Sequence, residues 1–346
     1  MRAWIWGVVV AVAACGPVAD EAAPTADVTP GRRTVDAVPE RGWLPREREL
    51  HLPRAEEPPP AATHPHPNAR FIQVAAASHS ACGVMSDRTL WCWSETRGLG
   101  QVGLASDWSS VSHGESHSCA LRLDGTLWCW GENHLGQLGL GRYGGTEPAP
   151  RQVGAASNWA AVAVAQASTC GIRTDGTLWC WGILVPVEAI DFPASSDVPA
   201  LISSDGHWRS ISFEDRQLCT VNATGGLQCW VQLYGGAHIE VVHHRPPFAW
   251  RRFGGDCGIR SDGTFWCGGP SRLERWSSDT DWATFTDGPL LLRNDRTLWR
   301  WRTGSPEQVG NQTWLQISAA GYGCGIRTDG TTWCWNDPAQ PTQIHP

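Results

Sequence analysis

The chain has 346 residues, 18% of them charged, and a formal net charge of −7. That balance disfavours a nucleic-acid binder, because no continuous basic face is available to neutralise phosphates. All 27 basic residues are arginine, which excludes a Schiff-base or phosphate-loop lysine. The 22 tryptophans and 13 cysteines stand far above ordinary usage.

The first element is an apolar run from Ala3 to Ala14 behind Arg2. As a helix it rises about 18 Å, too short to span a bilayer but suited to the core of a signal peptide. It ends Val12-Ala13-Ala14-Cys15-Gly16, small residues running directly into a cysteine. This resembles the lipobox of bacterial lipoproteins, with Val12 where leucine is usual. The resemblance implies a signal peptide over 1–14, diacylation of Cys15 and attachment to a membrane through that lipid. An ordinary secretory signal cleaved near Ala14 is the alternative, and either one exports the chain. Residues 15–70 follow as a lipidated cysteine and a disordered tether. Pro58-Pro59-Pro60 and His64-Pro65-His66-Pro67 favour extended polyproline II over a packed fold. His64 and His66 read as solvated residues of that tether and not as metal ligands.

From residue 71 to 346 the chain repeats itself. Cys119-Ala-Leu-Arg-Leu-Asp-Gly-Thr-Leu-Trp-Cys129-Trp, Cys170-Gly-Ile-Arg-Thr-Asp-Gly-Thr-Leu-Trp-Cys180-Trp and Cys324-Gly-Ile-Arg-Thr-Asp-Gly-Thr-Thr-Trp-Cys334-Trp are the clearest copies. Weaker ones surround Cys82/Cys92, Cys219/Cys229 and Cys257/Cys267. A seventh, from Leu290 to Trp301, lacks both cysteines.

Each copy predicts a β-hairpin, with Asp-Gly as the turn between two apolar, β-prone strands. Reading Thr174-Asp175-Gly176 as a three-residue loop closes Arg173 on Thr177 and sets Cys170 directly opposite Cys180. That site is a non-hydrogen-bonded one, where the two Cα atoms lie close enough for a disulfide. The count agrees, since 13 cysteines are one lipidated residue plus six pairs spaced by ten. The expected bonds are Cys82–Cys92, Cys119–Cys129, Cys170–Cys180, Cys219–Cys229, Cys257–Cys267 and Cys324–Cys334. Structural zinc needs four converging ligands, and one hairpin supplies two.

Most hairpins are preceded by a strand that an aromatic marks: Phe71, Trp108, Trp159, Trp208, Trp250, Trp282 and Trp314. Several read Trp-x-x-[Val/Ile], as in Trp108-Ser-Ser-Val111. A fourth strand is visible at Pro150–Val153, Pro306–Val309 and Pro341–Ile344. The expected fold is all-β: a seven-bladed β-propeller of four-stranded antiparallel blades with hairpin disulfides. Tryptophan suits the wedge between blades, and these indoles are expected in the core.

Cys129-Trp-Gly-Glu-Asn-His-Leu-Gly-Gln-Leu-Gly-Leu-Gly141 resembles the signature of the regulator of chromosome condensation repeat family, as does His117-Ser-Cys-Ala-Leu121. Gly-Gln-Leu-Gly is clear only in the second copy and partial in the first, at Gly100–Gly103. The paired cysteines look more like the family's bacterial secreted branch than its nuclear member. That nuclear member's activity on a small GTPase does not carry over to an exported chain. A secreted β-lactamase-inhibiting propeller of similar repeat type is the nearer analogue. It implies a protein-binding face but assigns no individual contact residue.

No catalytic residue, metal site or cofactor is expected. The recurring Asp of Asp-Gly-Thr reads as a turn starter bonding its own backbone. The acid–base reading of His113, His117 and Glu115 is the weaker one, because Ser80 and Ser168 occupy the His117 position in other copies. Residues 182–207 and 231–249 interrupt the repeat, and such insertions often contact partners. Leu184, Val185, Phe192, Tyr234 and Phe248 are the candidate partner anchors. The expectation is a monomeric protein-binding scaffold, exported to the bacterial outer membrane or cell surface, with the periplasmic side also open. The alternatives are an inhibitor of an extracellular enzyme, a carbohydrate binder, and a hydrolase or lyase working in the central channel.

Overall fold

The computed structural model describes residues 66–344 except 95, 184–194, 205, 215–216, 233–238, 245–248, 269–271, 287–289 and 303–304. No helix occurs among the described residues. Four-stranded antiparallel sheets cover 71–101, 108–152, 159–203, 208–244 and 250–275, each with its strands in chain order. The last two blades, 282–344, are one seven-stranded sheet. A single strand, Ser305–Ala320, is the outer strand of blade six and then the inner strand of blade seven. Seven four-stranded antiparallel units result, and the protein is a β-propeller.

Blade three shows why these residues make this unit. Arg173 N–H donates to the Thr177 carbonyl at 3.0 Å, and Gly176 N–H to the Arg173 carbonyl at 2.9 Å, closing the three-residue loop. Gly176 sits at φ 83°, and a Cβ there would lie 2.9 Å from the Cα of His207, so glycine is required. The Asp175 carboxylate accepts from Thr177 N–H and its hydroxyl, at 2.9 and 2.6 Å. That hydroxyl in turn accepts the indole N–H of Trp179 at 2.8 Å. Arg173 lies over Trp179 at 3.9 Å and over Trp159 at 4.8 Å. A first-strand indole, an arginine and a third-strand indole are therefore stacked, and the same clamp recurs around Arg122, Arg260, Arg293 and Arg327.

The six hairpin disulfides join directly opposed Cα atoms 4.0–4.1 Å apart. Six cystines of this kind belong to an oxidising, extracytoplasmic environment. Between blades, the hairpin residues of one pack on the inner strand of the next, as Cys82, Val84 and Leu90 do on Trp108 and Val111. Removing one such buried indole costs about 3–5 kcal/mol.

The ring closes without exchanging a strand between its ends. Phe71, Val74 and Trp93 of blade one pack on Tyr322, Cys324 and Ile326 of blade seven. The Gln316 amide brackets Val74, accepting its N–H and donating to its carbonyl, both at 3.1 Å. Gln73 brackets Val111 of blade two in the same way, at 2.8 Å each. The closing seam and an interior seam thus share one device.

Two expectations change. The stretches 182–207 and 231–249 are not wholly insertions, because each contains its blade's outer strand, Ser195–Ser203 and Ile239–His244. Trp276 is not core: it is 44% exposed, stacked on Trp301 at 5.2 Å. The outer strand of its blade is only Glu274–Arg275, too short to cover it.

Candidate functional site

The anchors expected at Leu184, Val185, Phe192, Tyr234 and Phe248, and the lipidation site Cys15, lie outside the described residues. The ends of the 184–194 segment are nevertheless placed, since Ile183 pairs with Ser195 at the outer edge of blade three. Beside them runs the long blade-two loop that carries Gly-Gln-Leu-Gly.

Buried Asn133 organises that loop. Its side chain donates to the Arg142 carbonyl at 2.8 Å and accepts Leu138 N–H at 3.0 Å. Its carbonyl receives Gly136 and Gly144 N–H at 3.2 and 2.8 Å. Leu138 is driven into the core beside Trp159 and Trp181. Gly139 allows this, since a Cβ there would meet the Trp181 indole nitrogen at 2.8 Å. Gly141 N–H then bonds the Asp197 carbonyl of blade three at 2.8 Å, pinning the loop across the blade boundary. Glu147 adds ion pairs to Arg142 and, at 2.9 Å, to Arg151, and the Arg151 hydrogen bond leads in holding its carboxyl below the usual range.

Leu135 and Tyr143 of this loop, and Ile183 and Val198 of the blade-three strands beside it, are exposed by 40–53%. A Cβ at Gly136 would meet the Tyr143 ring at 3.0 Å and Asp197 at 2.9 Å, and one at Gly141 would meet Val198 at 3.7 Å. Tyr143 of the loop and Val198 of the blade-three outer strand thus flank the loop's glycines. Sequence reasoning named the loop as a signature but missed its apolar crown, because Leu135, Tyr143 and Val198 are singly unremarkable in sequence.

The two histidines do not form an acid–base pair with Glu115. His113 Nε2 is 2.7 Å from the Ser80 hydroxyl and Nδ1 is 2.7 Å from that of Ser118. His117 Nε2 is 2.7 Å from the Thr169 hydroxyl, while Glu115 bonds Ser78. Burial lowers His113 to about 4. Burial, and then the nearby His113, lowers His117 to about 3. They are neutral ties between blades. No group of three or more metal-ligating side chains occurs among the described residues.

A third feature recurs in every blade. The inner strand carries one extra residue immediately after its aromatic, so that Trp108 pairs with Arg122 and Ser110 with Leu121 while Ser109 is unpaired in the register. The same bulge falls at Ile72, Ala160 and Arg209. It falls again at Arg251, Ala283 and Leu315. The inner strands of blades seven, one, two, three, four and five adjoin in turn, and Arg251 and Arg252 bond the inner strand of blade six. This places these residues at one end of the inner strands, around one mouth of the ring.

The comparisons fit a propeller of this class. The Regulator of chromosome condensation (RCC1) repeat matches residues 108–137 and, in a second form, 124–172. Residues 108–172 therefore carry repeats of this type. Human WBSCR16 is similar in structure, with 15% identity and a TM-score of 0.51 over 72% of this chain and 70% of that one. PorZ, a bacterial surface component of the type-IX secretion system of Porphyromonas gingivalis, has 10% identity and a TM-score of 0.52, over 80% of this chain and 38% of its own. Prp20p of Saccharomyces cerevisiae has 12% identity and a TM-score of 0.48, over 80% and 77%. No curated protein sequence matches the chain.

Proposed function

We propose that the protein is an exported, lipid-anchored propeller that binds another protein at the bacterial cell envelope. The observation that carries this reading is the set of exposed apolar residues Leu135 and Tyr143, on a loop rigidly bonded across two blades, with Ile183 and Val198 on the adjoining strands of blade three. Clustered exposed apolar residues on a rigid scaffold are the usual form of a protein-binding surface. The disulfides support export, and Val12-Ala13-Ala14-Cys15 supplies the anchor. No catalytic role is assigned.

The test uses the full oxidised chain as bait on native envelope extract, beside a Tyr143→Ser/Val198→Ser variant of unchanged melting temperature. A single protein retained by the first and lost by the second supports the reading. Equal retention by both, or none by either, overturns it. Labelling with an alkyne fatty acid should mark the chain and fail on Cys15→Ser. Labelling that persists in the variant would remove the anchor from the proposal.

A further inference from the structure

The ring of bulge residues is not uniform. Blades seven and one place Leu315 and Ile72 side by side, 51% and 43% exposed. Blades four and five, across the ring, place Arg209 and Arg251, both exposed. Ser109, Ala160 and Ala283 are the small residues between the two poles. Apolar and basic poles therefore face each other across one mouth, with low walls on either side.

Neither Arg209 nor Arg251 has a carboxylate partner among the described residues. Arg251 spends one nitrogen on main-chain carbonyls of blade six, those of Trp282 and Ala283. Arg252, the next residue, reaches the Thr284 hydroxyl of the same neighbour at 2.6 Å. Arg251 is thus steadied by carbonyls, which are neutral partners. At the other pole, Gln316 and Gln73 are committed to bracketing backbone, so Leu315 and Ile72 are what that side offers a ligand.

The geometry points to a binding slot for a linear peptide segment with carboxylate at one end and a bulky apolar side chain at the other. The carboxylate sits at Arg209 and Arg251, where guanidinium groups form charge-assisted bonds. The apolar side chain covers Leu315 and Ile72, and the peptide backbone crosses the low wall between. This rests on the protein-binding reading and adds a second contact, remote from the crown of blades two and three. The carboxylate can be a chain terminus or an Asp or Glu side chain.

Fluorescence anisotropy with the full oxidised chain tests it. The probes are labelled synthetic peptides of Leu-Phe, a Gly-Ser spacer of graded length and Asp-Glu, each with a free or an amidated C-terminus. Saturable binding is expected for at least one spacer, and none for the amidated peptides with Arg in place of Asp-Glu, which carry no carboxylate. Retention in the amidated series assigns a side-chain carboxylate, and loss there assigns the terminus. Arg209→Glu/Arg251→Glu should weaken binding at least about tenfold, as expected for losing charged hydrogen bonds. Arg209→Gln/Arg251→Gln should do so with less disturbance of the fold, and Leu315→Ser should weaken it severalfold. Absence of saturation with every spacer, or equal affinity in both arginine variants, overturns the slot. Displacement by dodecanoate at matching affinity reassigns it to fatty-acid chemistry and overturns the peptide assignment. Envelope-protein capture in the arginine variants separates the two proposals. If capture persists through the Tyr143 and Val198 surface while the peptides fail, only the slot falls.

Discussion

Blade three and blade six perform the same structural task by different means. In blade three the two central strands are joined covalently through Cys170 and Cys180. In blade six the same register positions hold Leu290 and Arg300. Leu290 is buried, and Arg300 turns to Asp337 of blade seven at 3.3 Å. The outer strand of blade six also runs on without a break into blade seven. A cystine pins a blade to itself, whereas blade six is tied to its neighbour. The ring tolerates one blade without a cystine where chain continuity supplies the restraint.

The largest effect that would break this comparison is reduction. Each hairpin cystine contributes about 2–3 kcal/mol in the chain-entropy model, and six act on one cooperative ring. Dithiothreitol should collapse the melting transition followed by tryptophan fluorescence. An unchanged melting temperature in the fully reduced protein would show that packing alone, as in blade six, suffices everywhere.

Acidification comes next. His113 and His117 titrate near 4 and 3 in the folded protein against 6.5 as free groups, chiefly because burial disfavours the cation. Only the unfolded state takes up protons just below pH 6.5. The stability they support is complete above that value and falls by about 1.4 kcal/mol per pH unit for each histidine as pH drops towards 4. Chemical denaturation at pH 7 and pH 5 measures the slope, and His117→Gln should flatten it. An equal slope in that variant would assign the acid sensitivity elsewhere.

Asn133→Ala acts on one loop. It leaves the buried Leu138 N–H without its side-chain partner, at about 1–3 kcal/mol, and frees the Arg142 carbonyl on the exposed side of the loop. The loss should appear as early hydrogen exchange confined to 133–145. Exchange unchanged in that loop would mean that Asn133 does not organise it.

The sequence disclosed the hairpins because turn chemistry, strand register and cysteine spacing all agreed on one pairing. The bulges also left a trace. In Trp-x-x-[Val/Ile] two inward residues stand three apart, which the two-residue period of a strand forbids unless one residue is extra. Read that way, Trp108-Ser-Ser-Val111 places the bulge beside the tryptophan, and the mouth ring could have been found from the repeat alone. The outer strand Ser195–Ser203 left no such trace, although Pro150–Val153, Pro306–Val309 and Pro341–Ile344 did. It lies at a sheet edge, largely half-buried, where neither alternation nor β-propensity is demanded. The Arg–Trp clamp was written in every clear copy as Arg-x-Asp-Gly-x-x-Trp. Its meaning needs the first-strand indole, which is far away in sequence.

The smallest effect sharpens the comparison most directly. Leu290 and Arg300 are directly opposed, as every cystine pair here is, so Leu290→Cys/Arg300→Cys should close a seventh disulfide on oxidation. The gain in the chain-entropy model is about 2–3 kcal/mol. Against it stand the packing of the Leu290 side chain and an ion pair to a largely exposed Asp337, itself worth about 0–1 kcal/mol. Burial of a half-cystine in place of leucine recovers part of the packing, so the net shift should be small and positive. Arg300→Ala alone separates the terms. If the ion pair is a minor tie and the continuous strand the major one, that variant should lose less than about 1 kcal/mol. A larger loss would make Arg300 to Asp337 the bond that replaces the cystine, with strand continuity secondary. The melting temperatures of the two variants, compared under oxidising conditions, decide between those two accounts of how blade six stays in the ring.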